Sequence, residues 1–228
     1  MAEYSMLLVN QSTRPGFFCV FQEYNGQIAN VVSLAWQVAP ATPGVSQLLT
    51  WNIDYGANFS KAKNLEPGTV LTQSQTFGLD PQKGNRSCVL RRDKYGYHFE
   101  QADAGESSQI EKGHMGIFTD NSILNEDVAI GLSMANKSMY ATMATPNYTY
   151  DFEVTPNYKV IFVDTIQIGQ ILTVTQMTTM VAEVIYDDGR FSKTVVLDKQ
   201  NNWHVENTDN LCARLLSHAN EPSLKTEI

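Results

Sequence analysis

The chain has 228 residues, 43% of them hydrophobic, which suits one large domain or two small ones with a core of ordinary size. Its 24 acidic and 16 basic residues give a formal net charge of −8, so its surface repels nucleic acid and anionic lipid. No apolar run approaches the roughly 20 residues that a helix needs to cross a bilayer. The composition therefore predicts a protein with neither a nucleic-acid nor a membrane partner.

Three cysteines, Cys19, Cys88 and Cys212, lie far apart along the chain. Their odd number, and an N-terminal segment (MAEYSMLLVNQS) that lacks the form of a secretory signal, predict reduced thiols in a cytoplasmic protein. No two Cys or His residues have the spacing of the usual zinc sites, and the Walker, GxGxxG and HExxH motifs are absent from the sequence. We therefore expect neither a metal nor a cofactor.

Most of the chain alternates between apolar and polar residues with the period of a β-strand. In LLTWNIDY, Trp51, Ile53 and Tyr55 fall on one face. Asn52 and Asp54 fall on the other face. Such segments, about 5–8 residues long and bounded by Gly, Pro, Asn or Asp, predict antiparallel strands. Further examples are FFCVFQEYNGQ, GTVLTQSQTF, YTYDFEV, YKVIFVDT, GQILTVTQM and MVAEVIYDDGRFSKTVVLD.

Turn signals and one helical pattern complete the predicted elements. Tyr24-Asn25-Gly26 and Asp188-Gly189 each follow a strand-like run and predict β-hairpins. A short helix is predicted within residues 207–228, where Asp209 is suited to cap it. The apolar residues of NTDNLCARLLSHAN fall on one face of that helix, and they are Leu211, Cys212, Leu215, Leu216 and Ala219.

Two stretches of the sequence are nearly alike. Residues 89–100 read VLRRDKYGYHFE, and residues 196–206 read VLDKQNNWHVE. Four more pairs of similar segments come earlier in the chain, and the offset between partners grows steadily along it. They are VFQ with IFT, VSLAW with IGLSM, WNIDY with YDFEV, and PGTVLTQSQ with IGQILTVTQ. This collinear order predicts an internal duplication.

The predicted fold is all-β, an antiparallel β-sandwich built from this duplication, with a short C-terminal helix. We place the first repeat at 1–104, the second at 105–206, and the helix and tail at 207–228. Whether the repeats are separate domains or share one core is left open by the sequence. In the repeated strand, alternation places Phe99 toward the core and His98 and Glu100 toward solvent.

Several segments of the chain resemble the RhiA proteins of rhizobia and their bacterial and fungal relatives. They are NQSTRPGFFCVFQ, SLAWQVAPATPG, LTWNIDYGANFS, LEPGTVLTQSQT, VAIGLSMANKSMYATMATPNYTYDFEVTPNYKVIF and NNWHVE. The resemblance runs from about residue 4 to residue 206, and the segments stand in the order found in the family. It implies an abundant, soluble, cytoplasmic protein, linked in bacteria to quorum-regulated growth on plants. It implies no catalytic residues.

Aromatic residues provide the candidate ligand site. Trp36, Trp51 and Tyr55, with Asn52 beside them, are the predicted ligand-binding residues. Large rings of this kind fill protein cores, and they also line sites for sugars and other small molecules. A ligand site here would lie in a cleft between the two repeats.

Carboxylates and a histidine provide the candidates for chemistry. Asp54 and His98 are the predicted acid–base residues if the protein is an enzyme, because paired carboxylates and histidines transfer protons near neutral pH. Asp54 and Glu153 hold corresponding positions in the two repeats. With Asn52 and Asp151 they are expected to meet if the repeats are related by a twofold axis.

Two functions of different classes follow from these observations. The first is a RhiA-like protein without catalytic residues that binds a small molecule or glycan, or that associates with itself as a homodimer. The second is a cofactor-independent isomerase or cyclase of a biosynthetic pathway, with an aromatic-lined cleft and a carboxylate or His as acid–base. A deep pocket lined by Trp36, Trp51 and Tyr55 would favour the enzyme, and a packed core would favour the binding protein.

Overall fold

The computed structural model describes residues 3–187 and 189–208, and these residues are mostly in β-strands. The elements up to residue 107 are β1 Glu3–Asn10, β2 Gly16–Gln22, β3 Val32–Ser33, β4 Gln37–Ala41, β5 Ser46–Asn52, β6 Tyr55–Lys61, β7 Gln75–Leu79, β8 Ser87–Asp93, β9 Gly96–Gln101 and α1 Ala104–Ser107. The later elements are β10 His114–Thr119, β11 Val128–Met134, β12 Lys137–Ser138, β13 Tyr140–Met143, β14 Thr149–Glu153, β15 Tyr158–Val163, α2 Val174–Thr178, β16 Ala182–Val184, β17 Ser192–Leu197 and β18 Trp203–Asn207.

The strands of the described residues form four sheets. Their orders are β18-β17-β1-β5, β14-β10-β8-β9, β3-β13-β11-β6-β7 and β16-β15-β2-β4, with β12 paired to β11. Neighbouring strands are antiparallel except in two places, where β1 runs parallel to β17 and β10 runs parallel to β8. The prediction of an all-β fold of antiparallel sheets is confirmed.

Two of the sheets have the same arrangement of strands. In each, a hairpin (β17–β18 or β8–β9) lies beside a parallel strand (β1 or β10). The other neighbour of that strand is an antiparallel edge strand, β5 or β14. Each of the four sheets combines strands from 1–104 with strands from 105–206. The boundaries of the repeats stay a prediction, but the two ranges contribute to common sheets.

The alternation seen in the sequence determines which side chains enter the core. In β14, Tyr150 and Phe152 are buried, whereas Asp151 and Glu153 reach the surface. In β9, Phe99 is buried, as predicted. Burial of apolar area is the main favourable term of folding, so this pattern fixes the register of each strand.

Both hairpin predictions are wrong. β2 ends at Gln22 and pairs with β4 and β15, so residues 23–31 form a loop between strands of different sheets. β16 pairs with β15, whereas β17 pairs with β1 and β18, so residues 185–191 connect two sheets. The strands that flank each turn signal pair with other strands instead of with each other.

One predicted strand is a helix. The segment GQILTVTQM contains α2, which begins after Thr173. The Thr173 hydroxyl accepts the backbone N–H of Gln176 at 3.1 Å, and the Gln176 side chain accepts the N–H of Thr173 at 2.9 Å. This reciprocal capping stabilises a helix start where the β-branched residues favour a strand. The predicted C-terminal helix lies outside the described residues. Within the described part of the chain no helix has the length and apolar character needed to span a membrane.

Candidate functional site

The two predicted tryptophans lie in the core. Trp36 is fully buried and Trp51 nearly so, with their ring centroids 5.3 Å apart in an edge-to-face arrangement. Trp36 donates its indole N–H to the carbonyl of Met134 at 2.9 Å, and Trp51 donates to the hydroxyl of Tyr158 at 3.1 Å. Since their polar atoms are satisfied inside the protein, both rings act as packed core residues.

The remaining aromatic-site residues do not converge with the tryptophans on a cavity. Tyr55 is half-buried against the main core, and burial raises the pKa of its hydroxyl. Asn52 and Asp54 are exposed. The residues predicted for a ligand cleft therefore separate into a buried group and a solvent-facing group, and the ligand role assigned to them stays a prediction.

His98 lies on an open strand surface. Its Nε2 is 3.3 Å from a carboxylate oxygen of Glu100, whose other oxygen contacts Arg91 at 2.9 Å. His204 stands at the corresponding place of the other hairpin, with its Nε2 2.9 Å from Asp198. This agrees with the prediction that these strand positions face solvent.

One cavity among the described residues, of about 850 Å³, is lined from both halves of the sequence. Residues 28–32 and 63–65 precede residue 104, and residues 125–126, 142–145, 148 and 150 follow it. The predicted ligand residues Trp36, Trp51, Asn52 and Tyr55 do not line this cavity.

The lining of the cavity is part apolar and part polar. Its apolar side chains include Ile28, Val31, Val32, Leu65, Met143 and Ala144. Its polar and charged side chains include Asn30, Lys63, Asn64, Asn125, Glu126 and Thr145. Tyr148 stands in the wall with 51% of its surface exposed. This combination of an aromatic ring, amides and one charge of each sign is typical of a site for a small polar molecule.

Hydrogen bonds hold Tyr148 and Tyr150 in place beside the cavity. The hydroxyl of Tyr150 donates to the carbonyl of Met143 at 3.0 Å and accepts the N–H of Thr145 at 2.7 Å. The backbone N–H of Tyr148 donates to the hydroxyl of Thr119 at 3.0 Å, and the rings of Tyr148 and Tyr150 have centroids 4.8 Å apart. The exposed Tyr148 ring is therefore presented on a fixed backbone.

Two polar residues that line the cavity, Asn30 and Glu126, adopt a left-handed backbone conformation. Asn30 has φ of 58° and Glu126 has φ of 54°. Asn tolerates this region, but for Glu it is uncommon and costs of order 1–3 kcal/mol. Such conformations cluster at binding sites, because the surrounding structure must hold them against the cost.

A second cavity, of about 470 Å³, adjoins the first and shares Ile28 and Tyr148 with it. Nδ1 of His114 lies 3.0 Å from an oxygen of Asp151, and both side chains line this space. Other ionisable side chains around it are Tyr24, Glu111 and Glu153. The second cavity is thus the place where acid–base groups come together beside the larger one.

Asn52, Asp54, Asp151 and Glu153 were expected to meet, and two of the four line a common cavity. Asp151 and Glu153 line the second cavity, whereas Asn52 and Asp54 do not line it. Among the described residues no group of three or more His, Cys, Asp or Glu is arranged to hold a metal ion.

Sequence reasoning did not identify His114 or Tyr148. His114 lies outside the segments predicted as strands, and Tyr148 is the first residue of the segment YTYDFEV. The 23–31 loop, where Asn25-Gly26 suggested a tight hairpin, is nine residues long in the structure. That loop supplies one wall of both cavities.

Comparison with known proteins identifies the family. The family model for RhiA matches residues 1–208. The chain belongs to the RhiA family. A RhiA-family relative, Protein RhiA of Rhizobium leguminosarum bv. viciae, is 27% identical over 208 residues, which cover 89% of this chain and 86% of the relative. No solved structure matches the chain. The residues lining both cavities fall inside the matched range, so the site belongs to the RhiA part of the chain.

Proposed function

We propose that this RhiA-family protein binds an uncharged, hydroxyl-rich small molecule, of the carbohydrate class, in the 850 Å³ cavity. The observation that carries the proposal is that the half-exposed ring of Tyr148 lines this cavity together with apolar side chains and three asparagines. The volume lies within the range of roughly 300–1,000 Å³ that small-molecule sites occupy.

The lining chemistry favours a sugar over a purely apolar ligand. A sugar ring presents C–H groups on its faces and hydroxyls around its edge. Tyr148 offers an aromatic surface for the face. Asn30, Asn64 and Asn125 each offer an amide donor and an amide acceptor for the hydroxyls.

The charges of the cavity favour a ligand without net charge. Lys63 and Glu126 are the charged residues that line it, and their formal charges cancel. A strongly anionic or cationic ligand would leave one of the two side chains facing a like charge, which is unfavourable. The carboxylate and the ammonium group instead provide strong hydrogen bonds to neutral hydroxyls.

Saturation-transfer NMR with D-glucose, D-galactose, D-mannose, D-xylose and a glycan array tests the proposal. We expect at least one sugar to bind, and Tyr148→Ala to weaken that binding by roughly tenfold or more, equivalent to about 1.4 kcal/mol. Tyr95→Ala is the matched control, because Tyr95 is 85% exposed at a hairpin turn and does not line the cavity. Absence of binding to every sugar, or equal loss in both variants, contradicts the proposal.

A further inference from the structure

Three histidines of the described residues lie within hydrogen-bonding distance of a carboxylate. They are His98 with Glu100, His114 with Asp151, and His204 with Asp198. The side chain of His114 is the least exposed, at 27%, against 36% for His98 and 59% for His204. His114 lines the second cavity, whereas His98 and His204 line none of the cavities described above. His114 is thus the least exposed of the three and the one that lines a described cavity.

Strand pairing places the groups around His114 on one face of a sheet. His114 lies directly opposite Glu153 across the β10–β14 ladder, and Asp151 lies two residues before Glu153. Alternate residues of a strand share a face, so both carboxylates lie on the side of His114. The neighbour Gly116, opposite Asp151, has no side chain to separate the histidine from that carboxylate.

The contact with Asp151 determines which nitrogen of His114 is available. Its Nδ1 lies 3.0 Å from the Asp151 carboxylate oxygen, and an ionised carboxylate can only accept a hydrogen bond. Nδ1 therefore carries the hydrogen when the ring is neutral, and Nε2 carries the lone pair. This arrangement orients a histidine as a proton acceptor.

The same cavity holds a proton donor. The phenol of Tyr24 lines it, and its hydroxyl accepts the N–H of Ile28 at 3.4 Å. Burial, with Asp151 and Glu153 nearby, raises the pKa of Tyr24, so the phenol stays protonated at neutral pH. The donor and the acceptor thus face one enclosed space that shares Ile28 and Tyr148 with the proposed sugar cavity.

We propose that His114, Asp151 and Tyr24 form an acid–base site that opens and closes the hemiacetal ring of a reducing sugar. The inference rests on the proposed function, because the sugar is held in the adjoining cavity. His114 and Tyr24 are the catalytic residues, and Asp151 is a positioning residue that holds the His114 ring. The sugar's reducing end reaches past Tyr148 into the second cavity.

The reaction balances without a cofactor. Nε2 of His114 takes the proton of the anomeric hydroxyl, and the bond between the anomeric carbon and the ring oxygen breaks as the carbonyl forms. The ring oxygen takes the phenol proton of Tyr24. After rotation about the bond between C1 and C2, the C5 hydroxyl formed from the ring oxygen attacks the other face of the carbonyl. Its proton returns to the Tyr24 oxygen, and the carbonyl oxygen takes back the proton held on Nε2 of His114. The product is the opposite anomer, and the protein is regenerated.

Magnetisation-transfer NMR of the α and β anomers of D-glucose, D-galactose, D-mannose and D-xylose, in dilute buffer, tests this site. For at least one sugar that binds, we expect the protein to accelerate equilibration at least tenfold over buffer. His114→Asn is expected to remove the acceleration, since a general base contributes roughly 10²–10⁴-fold. Tyr24→Phe should lower the rate without loss of binding, and Asp151→Asn should lower kcat while KM changes little.

His204→Asn is the matched control, because it removes a histidine paired with a carboxylate on the open surface. It should leave the acceleration unchanged. A sugar that binds without any acceleration overturns this inference and leaves the binding proposal standing. Equal loss in His204→Asn and His114→Asn also overturns it, because the effect is then that of any surface imidazole. If none of these four sugars binds, this inference fails, and the glycan array decides the binding proposal.

Discussion

The indole N–H of Trp51 donates a hydrogen bond to the hydroxyl of Tyr158 at 3.1 Å, and the centroids of the two rings lie 5.2 Å apart. Trp51 belongs to β5 and Tyr158 to β15, so this buried contact joins strands of two different sheets. Tyr4 and Tyr186 pack against the same indole. The aromatic residues that the sequence proposed for a ligand cleft thus hold the sheets together.

Replacement of Trp36 tests this structural role. Trp36→Ala removes a fully buried indole and leaves the Met134 carbonyl without its donor. We expect a loss of roughly 3–5 kcal/mol in the free energy of unfolding, measured by urea denaturation. Tyr95→Ala, at an exposed position, should change it by no more than about 0.5 kcal/mol. A stable Trp36→Ala variant that loses sugar binding would instead support the ligand role predicted from the sequence.

Two glycines of one sheet should differ in their tolerance of a methyl group. A Cβ built on Gly131 would lie 1.9 Å from the Tyr140 carbonyl oxygen, so β11 and β13 must separate to admit it. Gly131→Ala should destabilise the protein by about 1–3 kcal/mol or more. Gly78→Ala is the control, because nothing lies within 4 Å of its Cβ position. Equal urea midpoints for the two variants would show that the close approach at Gly131 is wrong.

The thiols of Cys19 and Cys88 should be inert in the folded protein. Both are fully buried, and burial raises the pKa of each thiol well above its usual range. Since the thiolate is the reactive form, labelling should require unfolding. A Cys212→Ser variant leaves these two thiols alone for the measurement. Ellman's reagent should modify neither thiol in buffer and both in urea, and rapid labelling in buffer would contradict the described core.

Asp198 should contribute stability that depends on pH. Its carboxylate lies 2.9 Å from His204 and accepts backbone N–H groups of Gln200 and Asn202, which lowers its pKa from 3.8 to about 2. A lowered pKa stabilises the folded state above the unfolded value of 3.8, and the contribution is lost as the pH falls through about 2.

The comparison variant for this prediction is Asp198→Asn, which cannot titrate. The difference in unfolding free energy between the two proteins should shrink as the pH falls from about 4 towards 2. NMR titration of the Asp198 carboxyl in His204→Leu should give a higher pKa, because the contact with His204 is the largest cause of the shift. An unchanged value would contradict that assignment.

The sequence predicted which segments form strands and which of their side chains face the core, because both depend on the local alternation of apolar and polar residues. The YDF and HFE segments show this: Tyr150, Phe152 and Phe99 are buried as their spacing required. The sequence did not predict which strands pair with each other. β17 pairs with β1, which lies far away in the sequence, and no local signal encodes that pairing. The capping box at Thr173 and Gln176 was a local signal, and it was outweighed by β-branched neighbours.

The candidate site was largely hidden for a related reason. Several of its residues lie on loops, which carry weak periodicity, and the others are brought together by the pairing of β10 with β14. The 23–31 loop lines the second cavity together with residues of these two strands. Sequence reasoning named Asp151 and Glu153 as strand residues of possible chemical interest, but it paired them with Asn52 and Asp54 rather than with His114.

The parallel pairing of β1 with β17 sets an order for maturation on the ribosome. The hydroxyls of Ser5 and Ser192 touch although 187 positions separate them. At typical synthesis rates of about 5–20 residues per second, one flank of the N-terminal strand stays uncovered for roughly 10–40 s. During that interval its row of free N–H and C=O groups is a template for association with other nascent chains. Until residues 192–197 have been synthesised, this strand therefore lacks the partner that covers its second flank.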